Sequence, residues 1–223
     1  MSCCGVISLR RFVRRVIPIL AGLVAGIVIS CAFFWVTGFP GFFGKRGEPP
    51  IYDEVSNASL TALAFSILDD IKVRDYQALS GVVHPEYGVV FSPCSAVNLM
   101  TNKCFSPAQV AAFGTDANVY VWGVYSSGGE PIEMTPADYF SYFVFPEDYS
   151  TASVVGVNHI VRSGNALENI TEMFPDAEFV DFHIPSGDRY SAEDSDWSSL
   201  RLGFEDYGGA LMLTLILHSD LAG

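Results

Sequence analysis

Residues 16 to 36 carry no charged side chain, a run of twenty-one positions from Val16 to Val36 that is dominated by branched apolar residues, glycine and aromatic rings. A helix through this run would be about 30 Å long at 1.5 Å per residue, which matches the hydrocarbon core of a bilayer. The flanks orient it. Arg10, Arg11, Arg14 and Arg15 precede the run and only Lys45 and Arg46 closely follow it, so the positive-inside bias keeps the N-terminus in the cytoplasm. Trp35, Phe39, Phe42 and Phe43 stand where aromatic rings mark the outer interface, and Gly38, Pro40, Gly41 and Gly47 loosen the chain that follows. The expected organisation is a cytoplasmic basic segment (1–15), a transmembrane anchor (16–36), a linker (37–51) and an extracytoplasmic domain (52–223) of a single-pass cell-membrane protein.

A second reading of the same segment is an export signal, with a basic start, an apolar middle and the sequence Val28-Ile29-Ser30-Cys31, which has the form of a bacterial lipobox. Cys31 would then be lipidated. The apolar continuation Ala32-Phe33-Phe34-Trp35-Val36 favours the anchor, since lipoproteins continue with a polar tether.

Charge is divided as sharply as hydropathy. All twenty-five acidic residues lie after position 47, where they face only six basic ones, a balance of −19. A surface of this sign repels nucleic acid and anionic lipid, so a phosphate-tracking role is disfavoured on electrostatic grounds. The membrane is engaged through the N-terminal helix, and the outer domain is left to meet a small molecule, a peptide or an envelope component.

Within that domain the pattern is local and readable. Ser56 or Ser59 can cap a helix along which Leu60, Leu63, Ala64, Ile67, Leu68 and Ile71 form one apolar stripe. A second helix spans 75 to 83 and ends at His84-Pro85, because the residue before proline avoids the helical region. Strands are expected at 89–91, 153–161 and 177–184, with hairpins at 118–134 and 199–218; the latter turns at Tyr207-Gly208-Gly209. Short helices follow Ser106-Pro107 and Thr135-Pro136, with a further helical turn at 166–173. The fold class is α+β: N-terminal helices packed on a curved, mostly antiparallel sheet, cone-like, with a pocket inside. Leu200, Leu202 and Phe204 share one face of their strand and Arg201, Gly203 and Glu205 the other.

Three segments carry a resemblance. His84-Pro85-Glu86-Tyr87-Gly88-Val89-Val90-Phe91-Ser92-Pro93, then Val121-Trp122-Gly123-Val124-Tyr125 with Gly129-Glu130-Pro131-Ile132, and Trp197-Ser198-Ser199-Leu200-Arg201-Leu202-Gly203-Phe204-Glu205 resemble an uncharacterised family of bacterial exported proteins and lipoproteins. Through that family the chain is similar, over residues 60 to 218, to the nuclear-transport-factor-2-like cone fold. The resemblance implies an architecture and no activity.

Chemistry-bearing residues are few. His84, beside Glu86, Tyr87 and Ser92, is a candidate base, against the reading of a helix-ending histidine bonded to the backbone. His183 and His218 end two strands and would converge with Asp181 or Asp220 if those strands are neighbours. Arg201 either points into the cone, where it would hold an anionic ligand, or points out toward Glu205. Cys94 and Cys104 are expected to form a disulfide, since the outer compartment oxidises and their spacing matches no zinc pattern. The acidic run Asp188, Glu193, Asp194 and Asp196 lacks calcium-loop spacing, and no metal or cofactor is implied. Neither a nucleophile elbow nor a phosphate-cradling loop is present. Two function classes remain: a non-catalytic binding module, and a cone-fold hydrolase or isomerase that uses a pocket histidine with a carboxylate. A partner-docking domain would instead expose an aromatic patch from Tyr139 to Phe145.

Overall fold

A computed structural model describes residues 54–125, 128–185 and 197–221. The anchor, the linker, Cys31 and the acidic run 188–196 lie outside the described residues. Among the described residues no helix is long and apolar enough to cross a membrane.

The apolar stripe at helical spacing produces α1 (Glu54–Val73), which buries Leu60, Ala64, Ile67, Leu68 and Ile71. Each of these leucine and isoleucine side chains contributes about 1.5–3 kcal/mol when fully removed from water. Asp75 accepts a hydrogen bond from the Ala78 N–H and caps α2 (Tyr76–Val82), which buries Tyr76 and Leu79. Gly88 then turns the chain at φ +71° into β1 (Val89–Ser92), followed by β2 (Lys103–Phe105) and α3 (Pro107–Ala111), the latter closed by a Ser106–Gln109 capping box. The hairpin β3 (Tyr120–Val124) and β4 (Pro131–Met134) leads to α4 (Pro136–Tyr139), continued by a π-helical turn at Phe140–Val144. After a 3₁₀ turn (Tyr149–Thr151) come β5 (Val154–Val157), α5 (Ile170–Met173), β6 (Glu178–Ile184), β7 (Ser198–Tyr207) and β8 (Ala210–Asp220).

The domain is α+β, built on a mixed six-stranded sheet in the order β2-β1-β8-β7-β6-β5, with β3 and β4 as a separate pair. Every pairing in the large sheet is antiparallel except β1 with β8, where Val90 faces Leu215. Both faces are covered. One packs the helices and the β3–β4 hairpin over Phe91, Leu200, Leu202, Phe204 and Ile216, together with an aromatic cluster in which Trp122 stacks on Tyr139 at 3.9 Å. The other carries Val90, Cys104, Phe179, Leu215 and Leu217 beneath the segments around Val97 and Ile170. Burial of Tyr139, Phe140, Phe143 and Val144 leaves Tyr142 as the large exposed side chain of the 139–144 stretch, so the aromatic patch that a partner-docking domain would expose does not form there.

Candidate functional site

The strand register decides where the candidate residues go. His183 on β6 pairs with Ser199 on β7, whereas His218 on β8 pairs with Leu200. Successive residues of β7 point to opposite faces, so the two histidines lie on opposite sides of the sheet with β7 between their strands. They do not converge. His183 Nδ1 is 2.9 Å from the Ser199 hydroxyl, and its ring lies 5.5 Å from Trp197. Ser199 is wholly buried, so the pair exposes no hydroxyl at the surface of the domain. On the other face His218 packs edge-on against Phe143 and lies 3.6 Å from Asp220. His84 is a helix-end residue of the structural kind: its Nδ1 accepts from the N–H groups of Glu86 and Tyr87 at 3.2 and 3.0 Å, and its ring stacks on Tyr87 at 4.2 Å.

Arg201 points neither into the helix-covered side nor to Glu205. It is wholly buried on the opposite face, where Nε donates to Asp181 Oδ2 at 3.1 Å, Nη1 and Nη2 grip the Glu168 carboxylate, and Nη2 also donates to the Arg162 carbonyl at 3.0 Å. A guanidinium so fully engaged has no fork left for an anionic ligand. Glu168 was not legible as its partner, because it sits in a polar stretch without periodicity.

Cys94 and Cys104 are free thiols. Cys104 is opposite Val90 in the ladder, so β1 already runs two residues, about 6–7 Å, past that row before the chain reaches Cys94. The sulfurs turn to different carbonyls, Cys94 to Ala96 and Cys104 to Tyr87, and no bridge forms.

The concavities among the described residues lie elsewhere. A groove of about 700 Å³ opens between the 94–102 loop and the 165–173 segment, with Val124 of β3 on its border. Its eleven lining residues include no acid, no base and no histidine. A shallower depression borders Tyr142 and Asp138. Neither is lined by His84, His183, Arg201 or His218.

Asparagine chemistry builds the groove. Asn98 opens a tight turn in which its Oδ1 accepts the Met100 N–H at 3.0 Å and its carbonyl accepts the N–H of Asn102 at 2.7 Å. Asn102 returns its own Oδ1 to the Asn98 N–H at 2.7 Å. The Ser95 and Ser219 hydroxyls, 2.9 Å apart, fix this wall to β8. Across the groove the second wall is held by the Arg201–Glu168 pair and by the Asn165 N–H donating to the Leu221 carbonyl at 3.0 Å. The Asn169 side chain ties the two walls together, accepting from the Val97 N–H at 2.8 Å and donating to the Val97 carbonyl at 2.9 Å. Nearby, burial and then the charge of the Cys94 sulfur push the Tyr139 phenol well above its ordinary range. Asparagines in loops read from sequence as turn formers, which is why this site was missed; the only signal was their number between 98 and 102 and between 165 and 169.

No family model, no curated protein and no solved structure matches the chain. Among the described residues no group of three or more histidine, cysteine or carboxylate side chains could hold a metal ion.

Proposed function

We propose that the chain is a membrane-anchored extracytoplasmic protein whose domain is a non-catalytic binding module, with the groove between 94–102 and 165–173 as its ligand site. The observation that carries this reading is the separation of charge from concavity: the groove is neutral, and the ionisable residues that could do chemistry are tied to one another or to the backbone in other places. Its volume lies within the ordinary range for small-ligand sites, about 300–1,000 Å³. The hydrolase or isomerase alternative needs a histidine and a carboxylate sharing a cavity, and the absence of any histidine from the lining of the groove or of the shallower depression counts against it. Anchoring at 16–36 and outward orientation rest on the sequence, and the cone architecture on two N-terminal helices followed by a mostly antiparallel sheet.

The test is a fragment titration of the full chain in detergent micelles, read through the side-chain amide resonances of Asn98, Asn102 and Asn165. Neutral amides such as N-methylacetamide should shift them, with acetate and methylammonium inert. Shifts gathered around His183 or His218 would overturn the assignment.

A further inference from the structure

We infer that the groove takes an uncharged peptide segment, held by its backbone carbonyls; this rests on the groove being the ligand site. The orientation of two carboxamides points that way. Asn98 and Asn102 each have their Oδ1 committed to a backbone N–H, of Met100 and Asn98 respectively, and this fixes which end of each side chain is spent. Neither Nδ2 group has a hydrogen-bond acceptor among the described residues; Asn98 is exposed and Asn102 Nδ2 lies 3.0 Å from where a Gly123 Cβ would stand, next to Val124 on the groove border, so both remain able to donate to a ligand. Asn165 and Thr101 add polar groups, and the remaining lining is apolar apart from Cys94, including Val124, Leu167 and Met173.

Donors without positive charge select neutral acceptors. An anionic ligand would enter against a domain with a balance of −19 and would find no cation in the groove. A sugar would find no aromatic ring in the lining on which to lay its apolar face. A peptide carbonyl flanked by small apolar side chains matches both halves of the lining. The protein makes this type of contact within itself at the same site, where the Asn169 carboxamide stands in for a peptide group and bonds both the N–H and the carbonyl of Val97.

Cys94 supplies the readout, because its thiol lines the groove while that of Cys104 is buried. The full chain in detergent is treated with iodoacetamide, and modification at Cys94 is followed by peptide mass mapping. The probe is a pool of N-acetylated, C-amidated pentapeptides of alanine, valine, leucine and serine. An aspartate-containing pool and the N-acetylglucosamine trimer, which presents acyl carbonyls on a sugar, are the comparators. The neutral pool should slow Cys94 alkylation at least fivefold. Asn98→Asp and Asn102→Asp keep the Oδ1 acceptor and remove the donor, and each should weaken that protection by roughly tenfold, the upper end for one lost hydrogen bond. Asn98 is exposed, so its variant remains informative should Asn102→Asp fail to fold. Protection by the trimer and not by peptides overturns the peptide assignment and leaves the groove as a ligand site. Equal protection by the acidic pool, or protection unchanged in both variants, overturns the donor argument. Absence of protection by every probe overturns the groove itself.

Discussion

Replacing Arg201 by methionine strips Asp181 of its cation in a place where water cannot take over. Asp181 is wholly buried, its Oδ2 would keep only the Val161 N–H at 2.9 Å, and its Oδ1 has no hydrogen-bond partner even in the native protein. Breaking a buried pair by removing one partner costs about 3–5 kcal/mol, because the remaining charge is left uncompensated. For a domain of this size each kcal/mol moves the melting temperature by about 2–4 °C, so Arg201→Met should lower it by roughly 6–20 °C. The assay is thermal unfolding of the full chain in detergent, followed by far-ultraviolet circular dichroism at fixed pH. Glu168 loses its grip in the same variant, so the 165–173 wall should loosen and Cys94 should alkylate faster at temperatures where the domain is still folded. Adding Asp181→Leu should restore most of the lost stability, since an apolar replacement removes the stranded charge. A single variant that melts within 2 °C of the native protein would refute the claim that this pair is desolvated and structural.

Further expectations concern single positions. Gly88→Ala should cost about 1–3 kcal/mol in the same melt, because φ is +71° and a Cβ would lie 2.4 Å from the Phe105 carbonyl oxygen. Asn169→Ala removes both hydrogen bonds between the groove walls and should raise the Cys94 alkylation rate several-fold, with Cys104 staying unreactive until the domain unfolds. Tyr139 and Tyr149 are held by burial above the ordinary phenol range, Tyr139 well above it. Their protonated forms are favoured by folding, so the stability they contribute is fully present below about pH 10, where the unfolded phenol titrates, and is lost as pH rises above it. An absorbance titration near 295 nm should show these two of the ten tyrosines ionising only together with unfolding.

Much of the fold was legible because its signals are local. The stripe from Leu60 to Ile71, the Ser106-Pro107 start and the two-glycine turn at 208–209 each specify one element, and each element forms there. What was missed depends on pairings between distant residues. Lys103–Phe105 is a strand of three residues inside what reads as a polar loop, and it exists because Val89 and Phe91 offer it a ladder. The parallel β1–β8 pairing joins Val90 to Leu215, and nothing near either residue announces the other. The same limit governed the site. His183 and His218 were correctly placed at strand ends, but which face each ring occupies depends on a register set across β7. Arg201 was seen to alternate with leucines, yet its partner Glu168 arrives from a segment without periodicity. The asparagines that shape the groove carry an ordinary turn signature, and the walls they form meet only in three dimensions.

The central claim is that recognition belongs to the neutral groove and that the histidines are structural. Calorimetric affinity for the most protective neutral pentapeptide, compared among the native chain, Asn102→Asp and His218→Asn, tests it most directly. Roughly tenfold weaker binding in Asn102→Asp with unchanged binding in a folded His218→Asn is the predicted result. Unchanged binding in Asn102→Asp with loss in His218→Asn would contradict it and move the site to the face of the sheet that carries His218.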